Sequence, residues 1–192
     1  GLFYQMSPSQ TLSTKPVPGR KKDKTRITVL LGANATGTDK LKPWVIGNAK
    51  RPRSLSKVNL ERLPVFYREN KKAWMNSVVF KEVLYEMDSY FRAKNKKILL
   101  LVDQEVVVNQ EVPLTHIELA FLPPNTISHL QPLDAGIIVS FKNYFKRKYC
   151  HHMLGLFEDR KDINKKKINI KEAINYVAEA WDHVTEETIR NC

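Results

Sequence analysis

Two aspartates occupy positions from which metal chemistry is readily built. Asp103 directly follows the apolar run Ile98-Leu99-Leu100-Leu101-Val102, and Asp134 precedes a stretch whose apolar residues recur at helical spacing. A carboxylate at the C-terminal end of a buried strand sits where open sheets keep their ligand crevice. A second one at the mouth of a following helix can converge on it. Carboxylate oxygens are the hard ligands taken by Mg²⁺ or Mn²⁺. Two such ions, roughly 3.5–4 Å apart, can clamp the attacking and leaving oxygens of a phosphoryl transfer. Plainer roles stand beside this one: Asp103 as a turn former or a partner to a basic side chain, Asp134 as an N-cap accepting backbone N–H bonds. Spacing alone leaves both readings open.

The rest of the chain is basic. There are 32 Lys and Arg against 20 Asp and Glu, a net charge of +12. Such a balance suits a polyanion, because cations that neutralise phosphates release condensed counterions. The helix expected after Asp134 concentrates this charge: Ile137, Ile138, Phe141, Phe145 and Tyr149 form one stripe, and Lys142, Lys146, Arg147 and Lys148 another face. That face is either simply solvated or a set of phosphate contacts. No apolar run approaches the roughly 20 residues of a spanning helix, and no secretory signal is visible, so a membrane is the weakest of the polyanionic partners and none is expected. The two cysteines, Cys150 and Cys192, are too few for a disulfide framework, which points to a nuclear or cytosolic compartment.

Several weaker signals resolve toward structure. Gly32-Ala33-Asn34-Ala35-Thr36-Gly37 has phosphate-loop glycine spacing, but Thr38-Asp39 replaces the Lys-Ser/Thr such a loop needs, so a hairpin turn is expected. Cys150-His151-His152 invites zinc, yet adjacent helical residues point about 100° apart and cannot close one tetrahedral site. His129 lies in the loop before Asp134, either near a scissile phosphate or bonded to backbone. Trp44 and Trp74 read as packing residues, with base stacking as the alternative.

These groups need a scaffold. Residues 7–24 form a turn-rich loop that ends in a basic hinge. Alternation of β-branched residues predicts a strand over about 25–33 and another at Trp44–Gly47, paired as an antiparallel hairpin. A polar, basic stretch follows over 48–70. Phe80, Val83, Leu84, Met87 and Phe91 predict a helix over about 76–93, capped by Asn76 or Ser77. Ile98–Val102 reads as a central strand buried on both faces. An irregular connection covers 104–115, Ile117–Leu122 is a further strand, and a proline-bounded loop covers 123–133. A charged linker over 158–169 leads to an amphipathic helical region from Ile170 to about Cys192. The order implies a mixed α/β sheet flanked by helices. It divides as a core over 1–157, with the linker and C-terminal helical region, 158–192, belonging to the same domain.

Longer motifs extend this. Ile98–Asp103 (ILLLVD), Phe121–Asp134 (FLPPNTISHLQPLD) and Ala135–Lys142 (AGIIVSFK) resemble the DDE-type endonuclease domain of the pogo/Tigger/jerky transposases, the family of centromere protein B. Gly1–Tyr4 (GLFY), Thr28–Asn34 (TVLLGAN), Lys42–Gly47 (KPWVIG), Tyr67–Met75 (YRENKKAWM) and Ala180–Cys192 (AWDHVTEETIRNC) match in the same order along nearly the whole chain. The resemblance implies an RNase H-like fold whose three carboxylates bind a Mg²⁺ or Mn²⁺ pair. Asp103 matches the second of them and Asp134 the third. The first is expected just before Gly1, in an Asp-Glu-Thr-Gly type segment, so the N-terminal strand is expected to be truncated. The family's strand-end Asp is followed by a small polar run of the Asn-Ala-Pro-Ser-His kind. Here Gln104-Glu105-Val106-Val107-Val108-Asn109 stands instead, a poor polar surround for a metal.

Two functions of different classes follow. One is a nuclear, metal-dependent endonuclease and strand-transfer enzyme acting on transposon-end DNA, with Lys142, Lys146, Arg147 and Lys148 on the phosphates and a homo-oligomer left open. The other is a domesticated or decayed domain that binds DNA or protein without cutting. A generic RNA-binding domain has no RRM, KH or dsRBD signature behind it.

Overall fold

The β-branched Ile27, Thr28 and Val29 favour extended chain, and they form the second strand of a mixed sheet. The computed structural model describes residues 1–6, 24–102, 113–121, 136–161 and 166–192. These fall into two compact units, Gly1–Trp74 with Ile137–Cys192, and Met75–Gly136.

In the first unit, β1 (Leu2–Phe3), β2 (Arg26–Leu30), β3 (Trp44–Gly47) and β4 (Phe66–Glu69) hydrogen-bond in that order. β1–β2 and β2–β3 are antiparallel and β3–β4 is parallel, with Val45 opposite Tyr67. The hairpin expectation therefore holds, and β3 has the expected bounds. β4 does not: the stretch 48–70 had read as polar, yet it contains a strand. Its crossover is two short 3-10 turns, Arg53–Leu55 and Leu60–Arg62, and Leu55, Leu63 and Val65 are buried. Those apolar residues are spaced too irregularly among the arginines and lysines to show a period.

The connection between β2 and β3 is the expected turn. The Asn34 N–H donates to the Asp39 carbonyl, and the Gly37 N–H donates to the Asn34 carbonyl. Gly37 has φ +75°, and a Cβ there would lie 2.7 Å from the Glu186 Cα, so position and packing both require glycine.

The helices of this unit are α2 (Ile138–Glu158), α3 (Ile170–Asp182) and α4 (Glu186–Arg190). Of the expected stripe on α2, Ile137, Phe141, Phe145 and Tyr149 are buried and Ile138 is half-buried. α3 starts with a capping box, in which the Asn169 side chain accepts from the Glu172 N–H and the Glu172 carboxylate accepts from the Asn169 N–H. Ala173, Ile174, Val177, Ala180 and Trp181 form its buried face. The single helical region expected from Ile170 onward is interrupted after Asp182, because Thr185 caps a new helix by accepting from the Thr188 N–H.

Lys40 closes the C-terminal end of α3. Its ammonium donates to the carbonyls of Trp181 (2.9 Å), Asp182 (3.1 Å) and Val184 (2.9 Å). The Trp181 indole N–H donates back to the Leu41 carbonyl. A cation here satisfies helix-end carbonyls and opposes the negative end of the helix dipole. Lys40→Ala is expected to cost about 2 kcal/mol, lowering the thermal midpoint by about 4–8 °C. An unchanged midpoint in calorimetry would show the cap to be dispensable.

The second unit holds α1 (Ser77–Ala93) and the parallel pair β5 (Ile98–Val102) and β6 (Ile117–Phe121). Asn76 caps α1 as expected, its side chain accepting from the Val79 N–H. Val79, Phe80, Val83, Leu84, Met87 and Phe91 are buried. β5 departs from expectation. Leu99 and Leu101 are 59% and 53% exposed, while Ile98, Leu100 and Val102 are half-buried. Side chains alternate across a strand, so the two sets of β5 side chains face opposite sides of the pair, and Leu99 and Leu101 share the more exposed side. An unbroken apolar run therefore did not mean burial on both faces.

Candidate carboxylate centre and basic face

β5 and β6 pair residue for residue, from Ile98 opposite Ile117 to Val102 opposite Phe121. Their C-terminal ends therefore lie side by side. Val102 leads directly into Asp103, and Phe121 leads into the segment that contains His129 and Asp134. Asp103, Asp134 and His129 themselves lie outside the described residues. Adjacent parallel-strand ends are the place where α/β proteins assemble ligand sites. Among the described residues, no three His, Cys, Asp or Glu side chains come together as a metal site. That includes Cys150, His151 and His152; the His152 ring instead faces the Lys166 carbonyl and the Tyr176 ring.

The cationic residues of α2 do not share one environment. Lys146 and Arg147 are exposed, whereas Lys142 and Lys148 are half-buried. The Lys148 ammonium is 2.5 Å from the Glu179 carboxylate on α3, which ties the two helices together.

The two tryptophans separate. Trp44 is 4% exposed and packs on Phe66 at 4.7 Å between ring centroids, as a core residue should. Trp74 is 52% exposed, so the packing role expected of it is corrected. No flanking residue marks the difference, since Lys42 shortly precedes the buried Trp44 just as Lys72 shortly precedes the exposed Trp74. One further acidic residue was missed. Asp88, on α1, is 1% exposed and accepts from the Thr115 N–H, the Thr115 hydroxyl, the His116 N–H and Arg92. It anchors the start of β6.

A family model described as DDE superfamily endonuclease matches residues 24–192. The chain is similar to Tigger transposable element-derived protein 4 of Mus musculus, 30% identical over 98% of this chain and 36% of that protein. It is 32% identical to Tigger transposable element-derived protein 7 of Homo sapiens, over 99% of this chain and 39% of that protein. With the human major centromere autoantigen B it shares 29% identity, over 100% of this chain and 31% of that protein. The chain thus spans about a third of the length of these curated relatives. No solved structure matches it.

Proposed function

Because this chain belongs to the DDE superfamily endonucleases, we propose that it is the RNase H-like core of a transposase-derived nuclear protein that binds DNA and cuts it with a divalent metal. One observation carries the reading. The parallel, in-register pairing of β5 and β6 sends the chain toward Asp103 and toward the Asp134 segment from one end of one sheet. Relatives named for transposable elements and for the centromere support DNA as the partner and the nucleus as the place.

Asp103 and Asp134 would hold Mg²⁺ or Mn²⁺, since carboxylates are the hard oxygen donors either ion prefers. When bound, the metal supplies a water of lowered pKa and charge neutralisation at the leaving oxygen. The chain's own part is positioning. Lys146 and Arg147, exposed on α2, take backbone phosphates, with Lys142 beside them. Lys148 is engaged by Glu179 and contributes less. Charge reversal at Lys146 and Arg147 together is expected to lower duplex affinity at least tenfold near 0.1 M salt. The slope of log affinity against log salt should become shallower by about 0.9 per lost contact. An unaltered slope in anisotropy titrations would reduce this face to a solvated one.

A second reading, binding without cutting, has one specific observation in its favour. Asp103 is followed by Gln104-Glu105-Val106-Val107-Val108-Asn109, which offers few polar partners to orient a ligating carboxylate. Nicking of supercoiled DNA by the full-length protein, compared with its Asp134→Ala variant, separates the two.

A further inference from the structure

The surface beside β1 and β2 holds a second cationic site, remote in sequence from the α2 face. Trp74 stands half-exposed at its centre, and Phe3 is a second exposed ring, at 40%. Lys24, Arg26, Lys71 and Lys72 surround them, and together these six residues line an open cleft of about 680 Å³. The Arg26 guanidinium lies 4.9 Å from the Trp74 ring centroid, and the Lys72 ammonium 5.7 Å. A cleft of this size falls within the range of about 300–1,000 Å³ that takes small ligands.

The indole is held out by its backbone. Ala73, the residue before it, has φ +50°, a left-handed conformation unfavourable for any residue but glycine. Asn70 fixes that turn. Its side-chain oxygen accepts from the Lys72 N–H (3.2 Å) and the Trp74 N–H (3.1 Å), while its amide donates to the Trp74 carbonyl (2.5 Å). The Thr28 hydroxyl on β2 donates to the Ala73 carbonyl at 2.7 Å. Ala73 itself is buried at 2%, so the strained residue points inward and the large apolar ring outward. Packing alone would favour the reverse, since a Trp gains far more from burial than an Ala. Strain that is held by several bonds and exposes an apolar ring is the pattern of a contact site.

We propose that this cleft binds an unpaired DNA base, with Trp74 as the stacking platform and Lys24, Arg26, Lys71 and Lys72 on the adjoining phosphates. The inference rests on the DNA-binding reading above and adds a preference for unpaired bases to it. Within a duplex each base is covered by its neighbours, so a surface indole reaches only a base turned out of the stack or one in a single strand. A cation over an exposed indole gains less than a stacked base does. A base therefore displaces Arg26 or Lys72 from the ring, and the displaced cation meets the neighbouring phosphate. Four cationic side chains and no acidic one among the described lining residues disfavour a basic peptide and favour a polyanion with flat, polarisable faces.

The test uses fluorescence anisotropy with labelled oligothymidylate and with a duplex of equal charge closed by hairpins at both ends. Trp74→Ala is expected to weaken oligothymidylate binding about tenfold or more, the scale of one lost base stack. Binding to the closed duplex should stay unchanged. Trp74→Tyr should retain most of the single-strand affinity, because any flat aromatic face can stack. The difference in emission between wild type and Trp74→Tyr should be quenched by oligothymidylate but not by heparin, a polyanion without bases. Equal loss on both DNAs, or quenching by heparin, would overturn the proposal and leave only a cationic surface. If neither DNA binds wild type, it is the broader DNA-binding reading that fails.

Discussion

Asp134→Ala is expected to reduce metal-dependent nicking of supercoiled DNA by the full-length protein on the order of a hundred- to a thousandfold, to the level seen with a chelator. That scale is what removal of a single electrostatic stabiliser of a transition state produces. Asp134→Asn should do nearly the same, because an amide keeps the shape but loses the negative charge that a divalent ion requires. Neither change should weaken duplex binding, which depends on Lys146 and Arg147 rather than on carboxylates. Losing an anion beside DNA should, if anything, slightly tighten it. The comparison is informative in both directions. If wild type and Asp134→Ala nick at one low background while both bind duplex, the enzyme reading is sunk and a binding-only domain remains. In that case the apolar Val106-Val107-Val108 after Asp103 becomes the natural cause, since it offers nothing to hold a ligand carboxylate in place. Restoring polar residues there would then be the next variant to make.

How far this was readable from residues alone depends on the range of the interaction concerned. Local signals transferred well. Asn76 as a cap, the Asn34–Asp39 turn and the apolar stripe on α2 each depend on residues within one or two turns of one another. Signals set by distant partners did not. β4 exists because β3 lies beside it, and its own four residues, two of them charged, carry no alternation that marks a strand. Lys40 carries no local mark of its role, because its three acceptors lie more than 140 residues away. Trp74 illustrates the same limit in reverse. Hydrophobic residues are buried by default in any sequence reading, and what turns this one outward is a hydrogen-bond cage around Ala73 that no composition reveals. The proposal of Asp103 and Asp134 as ligands rests chiefly on long motifs, since an Asp after an apolar strand has several ordinary explanations and both residues lie outside the described ones.

Asp88 is where the second unit should prove most sensitive, and Asp88→Ala is expected to destabilise it by about 2–3 kcal/mol. The carboxylate accepts two backbone N–H groups and a hydroxyl from Thr115 and His116, and it pairs with Arg92 at 2.7 Å. Truncation strands those donors at the entry to β6. The partly exposed surroundings of Thr115 and His116 let water recover some of the loss, which keeps the estimate below that for a fully buried pair. Burial by itself would raise the pKa of Asp88, but the bonds from His116, Arg92 and Thr115 outweigh it and hold the carboxyl well below the ordinary range. A depressed native pKa means that the contribution is fully present above the unfolded value, about 3.9. It is lost as pH falls below that value and through the native one. Wild type should therefore lose stability in acid more steeply than Asp88→Ala, and the gap between their denaturation midpoints should narrow below about pH 4. Hydrogen exchange of the β5 and β6 amides locates the effect, because β6 leads at Phe121 into the segment that carries Asp134. Protection that falls in β5 and β6 while β2 and β3 keep theirs would place Asp88 as the clasp of the proposed carboxylate centre. Uniform loss across both units, or a gap that does not change with pH, would remove it from that role.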